Sequence, residues 1–154
     1  MVSIKEDVSA RLKAAMLNRD EFLTGVLRDL KAAILNEEIK QGKRDEGLSD
    51  DEVEKVIAKQ VKQRDDSIEV YTAAGDKVRS EKEMAEREIL AKFLPEPLSE
   101  DELRQVVKRV VTTGGFTIKD MGRAIGDVKK EVGTHGDGSL IAKIVKELLT
   151  EEPR

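Results

Sequence analysis

Lys119–Leu149, KDMGRAIGDVKKEVGTHGDGSLIAKIVKELL, reads as two short amphipathic helices joined by a glycine-rich turn. Ile118, Met121, Ile125, Val128 and Val132 recur at spacings of three and four, which at ~100° per residue makes one apolar stripe. Lys119, Arg123 and Lys130 fall almost opposite it, within a ~40° arc of one another on the same count, and so form a basic ridge facing solvent. Gly122 and Gly126 lie beside that ridge in mid-helix, where each costs about 1 kcal/mol relative to alanine; the cost implies a use for the missing side chains. Asp120, Asp127 and Glu131 fall on a different arc. Positive and negative side chains balance from residue 98 onward, but charge segregated in this way still attracts a polyanion. Any soluble helix carries lysines opposite its apolar stripe; the two glycines set this one apart.

Working outward, the composition asks for helices. Charged residues make up 39% of the 154-residue chain and aromatic residues 3%, with Phe22, Tyr71, Phe93 and Phe116 the whole aromatic set. Strand-like runs of Val, Ile, Thr and aromatics are scarce, so the balance suits the exposed faces of helices around an aliphatic core. The expected class is all-α. Cysteine is absent, which removes disulfides, thiolate metal sites and cysteine nucleophiles. The opening MVSIKEDVSARLK has no apolar core segment of a signal peptide, and no stretch of ~20 apolar residues occurs. A cytoplasmic protein with no membrane association is the expectation.

Helix punctuation organises the remainder. Ser3 and Glu6 have the spacing of a capping box, and Ile4, Val8, Leu12 and Ala15 then run down one face of a helix ending near Asn18. Asp20 starts a second, with Leu23, Leu27, Leu30 and Ile34 as its stripe, ended by Gln41–Gly47; the two should pack as an antiparallel hairpin. Ser49 starts a long third helix through Val53, Ile57, Val61, Ile68 and Tyr71 that stops at Gly75, and Ser80 with Glu83 starts a fourth running to Leu94. Leu94-Pro95-Glu96-Pro97 is the sharpest break, since two prolines remove backbone donors and push their predecessors out of helical geometry. A four-helix N-terminal domain over 1–95 and a three-helix tail domain over 98–154 are expected. In the tail Ser99 and Glu102 box a helix whose Leu103, Val106, Val107, Val110 and Val111 face inward, ended by Gly114 and Gly115.

The inventory for catalysis is thin. One histidine and no cysteine exclude most triads. Ser67 lacks a nearby base and reads as a structural serine in a long helix. Arg64 falls on the apolar line between Val61 and Ile68, the position of a partly buried arginine paired with a carboxylate from the fourth helix, or of a partner-binding anchor. Asp65, Asp66 and Glu69 are an acidic run of the kind that stays solvated. No catalytic residue, metal site or cofactor is assigned. Gly133-Thr134-His135-Gly136 has the spelling of a KH-domain GxxG loop, but that domain needs strands. Asp137 repels a phosphate at the last helix and instead caps it.

Several stretches together resemble YqeY-like proteins: LRDLKAAILNEEI at 27–39, QRDDSIEVYTAAG at 63–75 and EKEMAEREILAKFLPEPLSEDEL at 81–103, with a looser match from Asp120-Met121-Gly122 through Asp137-Gly138 to Val145-Lys146. The C-terminal region of such proteins is shared with the tail of the B subunit of the glutamine-dependent tRNA amidotransferase. The resemblance spans nearly the whole chain. It implies a helical N-terminal domain and a three-helix tail similar to the one with which that subunit contacts tRNA, and a carbon–nitrogen ligase label with glutamine as amide donor travels with the family by association. Relatives tend to place a basic residue just before the Ala-Asp-Gly turn where this chain has His135, a pH-dependent substitute, and the stretch Asp76–Ser80, read as a loop, matches the family poorly.

The resulting expectation is a non-catalytic protein that contacts tRNA or another structured RNA. Lys119, Arg123 and Lys130 carry the contact, assisted by Lys129, Lys143 and Lys146, while Gly122 and Gly126 allow close approach. With no aromatic platform on the ridge, base stacking is not expected. The alternatives are a protein-interaction adaptor, in which the acidic first domain docks on a protein partner and the glycines admit another helix, and an accessory to amide transfer inside a larger assembly.

Overall fold

The computed structural model describes residues 2–150, so residues 151–154 of the expected tail lie outside it. Helices account for all its regular structure, and among the described residues there is no strand. The chain is all-α. It divides into two compact units, Met1–Leu94 and Pro95–Arg154.

In the first unit, α1 (Ile4–Leu17), α2 (Glu21–Lys40), α3 (Asp50–Ala73) and α4 (Lys77–Ala91) follow in order, with α1 packed on α2 and α3 on α4. The cap signals act locally as their chemistry requires. Ser3 and Glu6 close a reciprocal capping box on α1, and Ser49 with Glu52 does the same for α3, each pair satisfying two otherwise orphaned backbone donors. The Asp20 side chain accepts from the Leu23 N–H at the start of α2. Val8, Leu12, Leu27, Leu30, Ile34, Val53, Ile57 and Leu90 form the core with Phe93, the one aromatic side chain buried there. Beside this core the Glu38 carboxylate is almost wholly buried and receives the Lys5 ammonium at 2.8 Å on both oxygens. Arg64 reaches Glu83 at 3.1 Å and Glu86 at 3.4 Å, both on α4, which is the carboxylate pairing its position on the stripe suggests.

α4 begins earlier than Ser80. Asp76 is its cap, accepting from the Arg79 N–H at 3.1 Å, so Asp76–Ser80 is the first turn of a helix and not a loop. Ser80 is instead buried inside α4 with its hydroxyl 2.8 Å from that of Thr72. The first cap-forming side chain after Gly75 takes the role, and a second candidate one turn later turns inward.

The second unit consists of α5 (Glu100–Gly114), α6 (Met121–Val132) and α7 (Gly138–Thr150), each packed on the other two. Leu103, Val107, Ala124, Val128, Val132, Ile141, Ile144 and Val145 make its core. Ser99 caps α5, accepting from the Glu102 N–H. The Asp137 carboxylate accepts from the Ser139 N–H at 2.8 Å, as a cap on α7 should. The Leu98 N–H donates to the His135 carbonyl at 2.7 Å and ties the unit's leading strand of chain to the turn between α6 and α7. Among the described residues no helix is long and apolar enough to cross a membrane.

Candidate nucleic-acid interface

The candidate residues begin on the segment that joins α5 to α6 and continue along α6 and α7. Gly115 ends α5 in the left-handed conformation, φ +62°, which lets the chain reverse and lay Phe116 back against the helix it has just left. The Phe116 N–H donates to the Val111 carbonyl at 3.1 Å. The ring lies so close over Gly114 that a Cβ there would meet it at 2.6 Å. Thr117 then donates from both its N–H and its hydroxyl to the Asp120 carboxylate, at 3.0 and 3.2 Å. That pins a single 3-10 turn, Ile118–Asp120, ahead of α6.

The 3-10 turn alters the projection read from sequence. Its tighter winding puts Ile118 off the apolar stripe, and that side chain is 54% exposed. The inward face of α6 is Ala124, Val128 and Val132, with Met121 and Ile125 partly covered. Lys119 therefore stands on the 3-10 turn, one turn ahead of the α6 ridge proper, whose members are Arg123, Gly126 and Lys130.

All six cations singled out from sequence are exposed, and they are spread over the 3-10 turn, α6 and α7. Arg123 and Lys130 lie on the outer face of α6. Lys129 is on its flank, its chain extended over the start of α7, where an added Cβ at Gly138 would meet Lys129 Cε at 3.3 Å. Lys143 and Lys146 lie on the outer face of α7. None of the six enters an ion pair among the described residues, whereas two arginines of the same unit are engaged: Arg104 with Glu100 and Glu147, and Arg109 with Glu131. The Arg104 guanidinium, hydrogen-bonded to the Glu147 carboxylate at 2.8 Å, holds that carboxyl below the ordinary glutamate range and has its own affinity for the proton raised in turn. Gly122 and Gly126 are exposed, and a Cβ on either would meet no atom within 4 Å. Among the described residues no packing contact explains two poor helix formers there.

Two expectations need correction. The acids are not cleanly segregated, because Lys130, Asp127, Glu131 and Arg109 line one concavity between α5 and α6; Asp127 and Lys130 are only three residues apart on the helix and share its edge. Nor is the ridge without an aromatic. The Arg123 guanidinium lies 5.6 Å from the centroid of the Phe116 ring, within the range of a cation–π contact. The Gly114-Gly115-Phe116 run was the available signal, since glycines ending a helix let the following aromatic fold back.

Among the described residues no group of three or more His, Cys, Asp or Glu side chains is placed to hold a metal ion, and Asp65 is paired with Arg87 of α4. The model of the Yqey-like protein family matches residues 5–149. The chain belongs to the YqeY-like family. That match covers both units from α1 to the last turn of α7. No curated protein matches it significantly.

Proposed function

We propose that this YqeY-like protein is a non-catalytic RNA-contacting protein. Its second unit binds structured RNA, tRNA foremost, through the phosphates: Lys119, Arg123 and Lys130 make the primary contacts, Lys129, Lys143 and Lys146 assist. The observation that carries the reading is the contrast within one small helical unit between arginines held by carboxylates and cations that no carboxylate holds among the described residues. Arg104 and Arg109 are held by carboxylates, while the ridge faces solvent beside two glycines whose added Cβ would meet no atom within 4 Å among the described residues. Exposed, unpaired cations cost little to desolvate partly and release counterions when they meet phosphates. Glycines on the same face let a sugar–phosphate backbone approach the helix axis more closely than any side chain permits. The resemblance of the tail to the tRNA-contacting tail of the amidotransferase B subunit favours tRNA among structured RNAs. An accessory role in glutamine-dependent amide transfer rests on that resemblance alone, and its signature is glutamine-dependent ammonia release on adding partner subunits.

Fluorescence anisotropy of the full chain with bulk tRNA across a salt series tests this directly. Three phosphate contacts predict a slope of log affinity against log salt of about −2.1 to −2.7, or about twenty- to fortyfold weakening between 50 and 200 mM salt. The triple variant K119E/R123E/K130E is expected to lose binding while keeping its helical circular dichroism, since all three side chains are exposed and none supports the core. A folded triple variant with undiminished affinity sinks the site assignment.

One observation favours an adaptor as the second reading. On the outer face of α2, Leu35 is 42% and Ile39 54% exposed, in line with Ala32 and with Gly25, where a Cβ would meet nothing. An apolar, small-residue stripe of this kind suits a helix from a protein partner. Absence of tRNA binding at low salt moves the function to that face.

A further inference from the structure

The concavity between α5 and α6 does not suit a phosphate. It has a volume of about 380 Å³ and is lined by Arg109, Val110, Thr113, Gly114, Phe116, Asp127, Lys130 and Glu131, near the lower end of the range for small-ligand sites. Two carboxylates and two cations line it, Asp127, Lys130 and Glu131 from α6 and Arg109 from α5, so an anion entering meets as much repulsion as attraction. A nucleobase meets what it needs. Its edge carries both N–H donors and lone-pair acceptors, and the lining supplies the Asp127 carboxylate and the Lys130 ammonium, neither of them in an ion pair or a hydrogen bond among the described residues. Its faces are flat and apolar, and the wall supplies Val110 and the Phe116 ring.

Phe116 also joins this concavity to the ridge. The same ring that lines it carries the Arg123 guanidinium at 5.6 Å, and Lys130 belongs to both surfaces. A nucleotide whose phosphates lie along the ridge thus has its base within reach of the concavity, provided the base is not paired. Gly114 is part of the construction, because a side chain there would displace the ring.

We propose that this concavity holds one unpaired base of the bound RNA, stacked on Phe116, with an exocyclic amino group donating to Asp127, while neighbouring phosphates lie on Lys119, Arg123 and Lys130. The proposal rests on the RNA-contacting reading above and deepens it: the preferred ligand is a structured RNA with a single-stranded end or bulge, not a continuous duplex. Aromatic stacking of single-stranded bases tolerates sequence, so the preference is for an unpaired base with an amino group and not for a motif.

The test compares two RNA hairpins, one blunt and one ending in a short single-stranded 3′ overhang that contains 2-aminopurine, against the full chain. The overhang hairpin is expected to bind about five- to hundredfold tighter, and the 2-aminopurine fluorescence to be quenched on binding. Phe116→Leu is expected to bring the ratio of the two affinities close to one and abolish the quench, and Phe116→Tyr to restore both. Because Phe116 also packs on the core, Thr113→Gln serves as the second variant: Thr113 is exposed and lines the concavity, so a longer side chain there is expected to obstruct it. Equal affinities with a bright probe, or a quench that survives Phe116→Leu and Thr113→Gln, overturn the base site while leaving phosphate binding intact. If neither hairpin binds at low salt, the RNA-contacting reading fails, and the base site with it.

Discussion

A mid-helix glycine costs about 1 kcal/mol relative to alanine; Gly126 is one, in α6, whereas Gly114 is the last residue of α5, and the two are present for opposite reasons. At Gly114 the reason is internal. An added Cβ would lie 2.6 Å from the Phe116 ring, and a ring packed on the core cannot swing away freely, so Gly114→Ala is expected to destabilise the second unit by about 1–3 kcal/mol. At Gly126 the reason is not internal. An added Cβ meets nothing, so Gly126→Ala should raise stability by about 0.5–1 kcal/mol and weaken tRNA binding. Chemical denaturation checks both signs; a destabilised Gly126→Ala would show that the helix itself needs the glycine. The sequence carried the cost of these residues but not the direction of the cause, since a helical projection shows which face a residue occupies and not what stands over it.

At the scale of elements, caps and turns were largely legible because they are local: Ser3, Asp20, Ser49 and Ser99 act on donors within three residues of themselves. Two went astray where the next shell of structure intervened. α4 takes Asp76 as its cap and draws Ser80 inward to Thr72, and the 3-10 turn before α6 swings Ile118 outward. Pairing between elements was not legible in the tail, and it sets a pH dependence. Arg104 of α5 lowers the Glu147 carboxyl of α7. A carboxyl whose folded value lies below its unfolded one, near 4.3, contributes stability that is fully present above the unfolded value and lost as pH falls through the folded one. Glu147→Gln should therefore lower the unfolding temperature of the second unit at neutral pH, with the difference from wild type closing as pH drops below about 4. Salt should shrink it too, because the pair is only half-buried. A difference that persists unchanged in acid would mean that Glu147 acts through packing.

For the whole molecule, each unit has its own aliphatic core. Truncating Leu27, which is fully buried in the first unit, to alanine is expected to cost about 2–5 kcal/mol. Hydrogen exchange should show that loss across α1–α4 while protection in α5–α7 stays at its wild-type level; a uniform loss would make the chain one cooperative body. The net charge of −4 also belongs to this scale. It opposes a polyanion at long range, and in physiological salt that opposition is screened beyond ~8 Å, so the local arrangement of cations decides.

What residue order alone settled is what short-range physics controls. The all-α class follows from composition and from apolar residues at spacings of three and four, most helix starts follow from caps, and the exposure of Lys119, Arg123 and Lys130 follows from their place opposite a stripe. Packing decided the rest. Which arginines of the second unit are neutralised by carboxylates of other helices, that Asp127 and Glu131 share a concavity with Lys130, and that Phe116 folds back beneath Arg123 are all contacts between elements. Their partners are set by how three helices close around Leu103, Val128 and Ile144, and no periodicity along the chain encodes that.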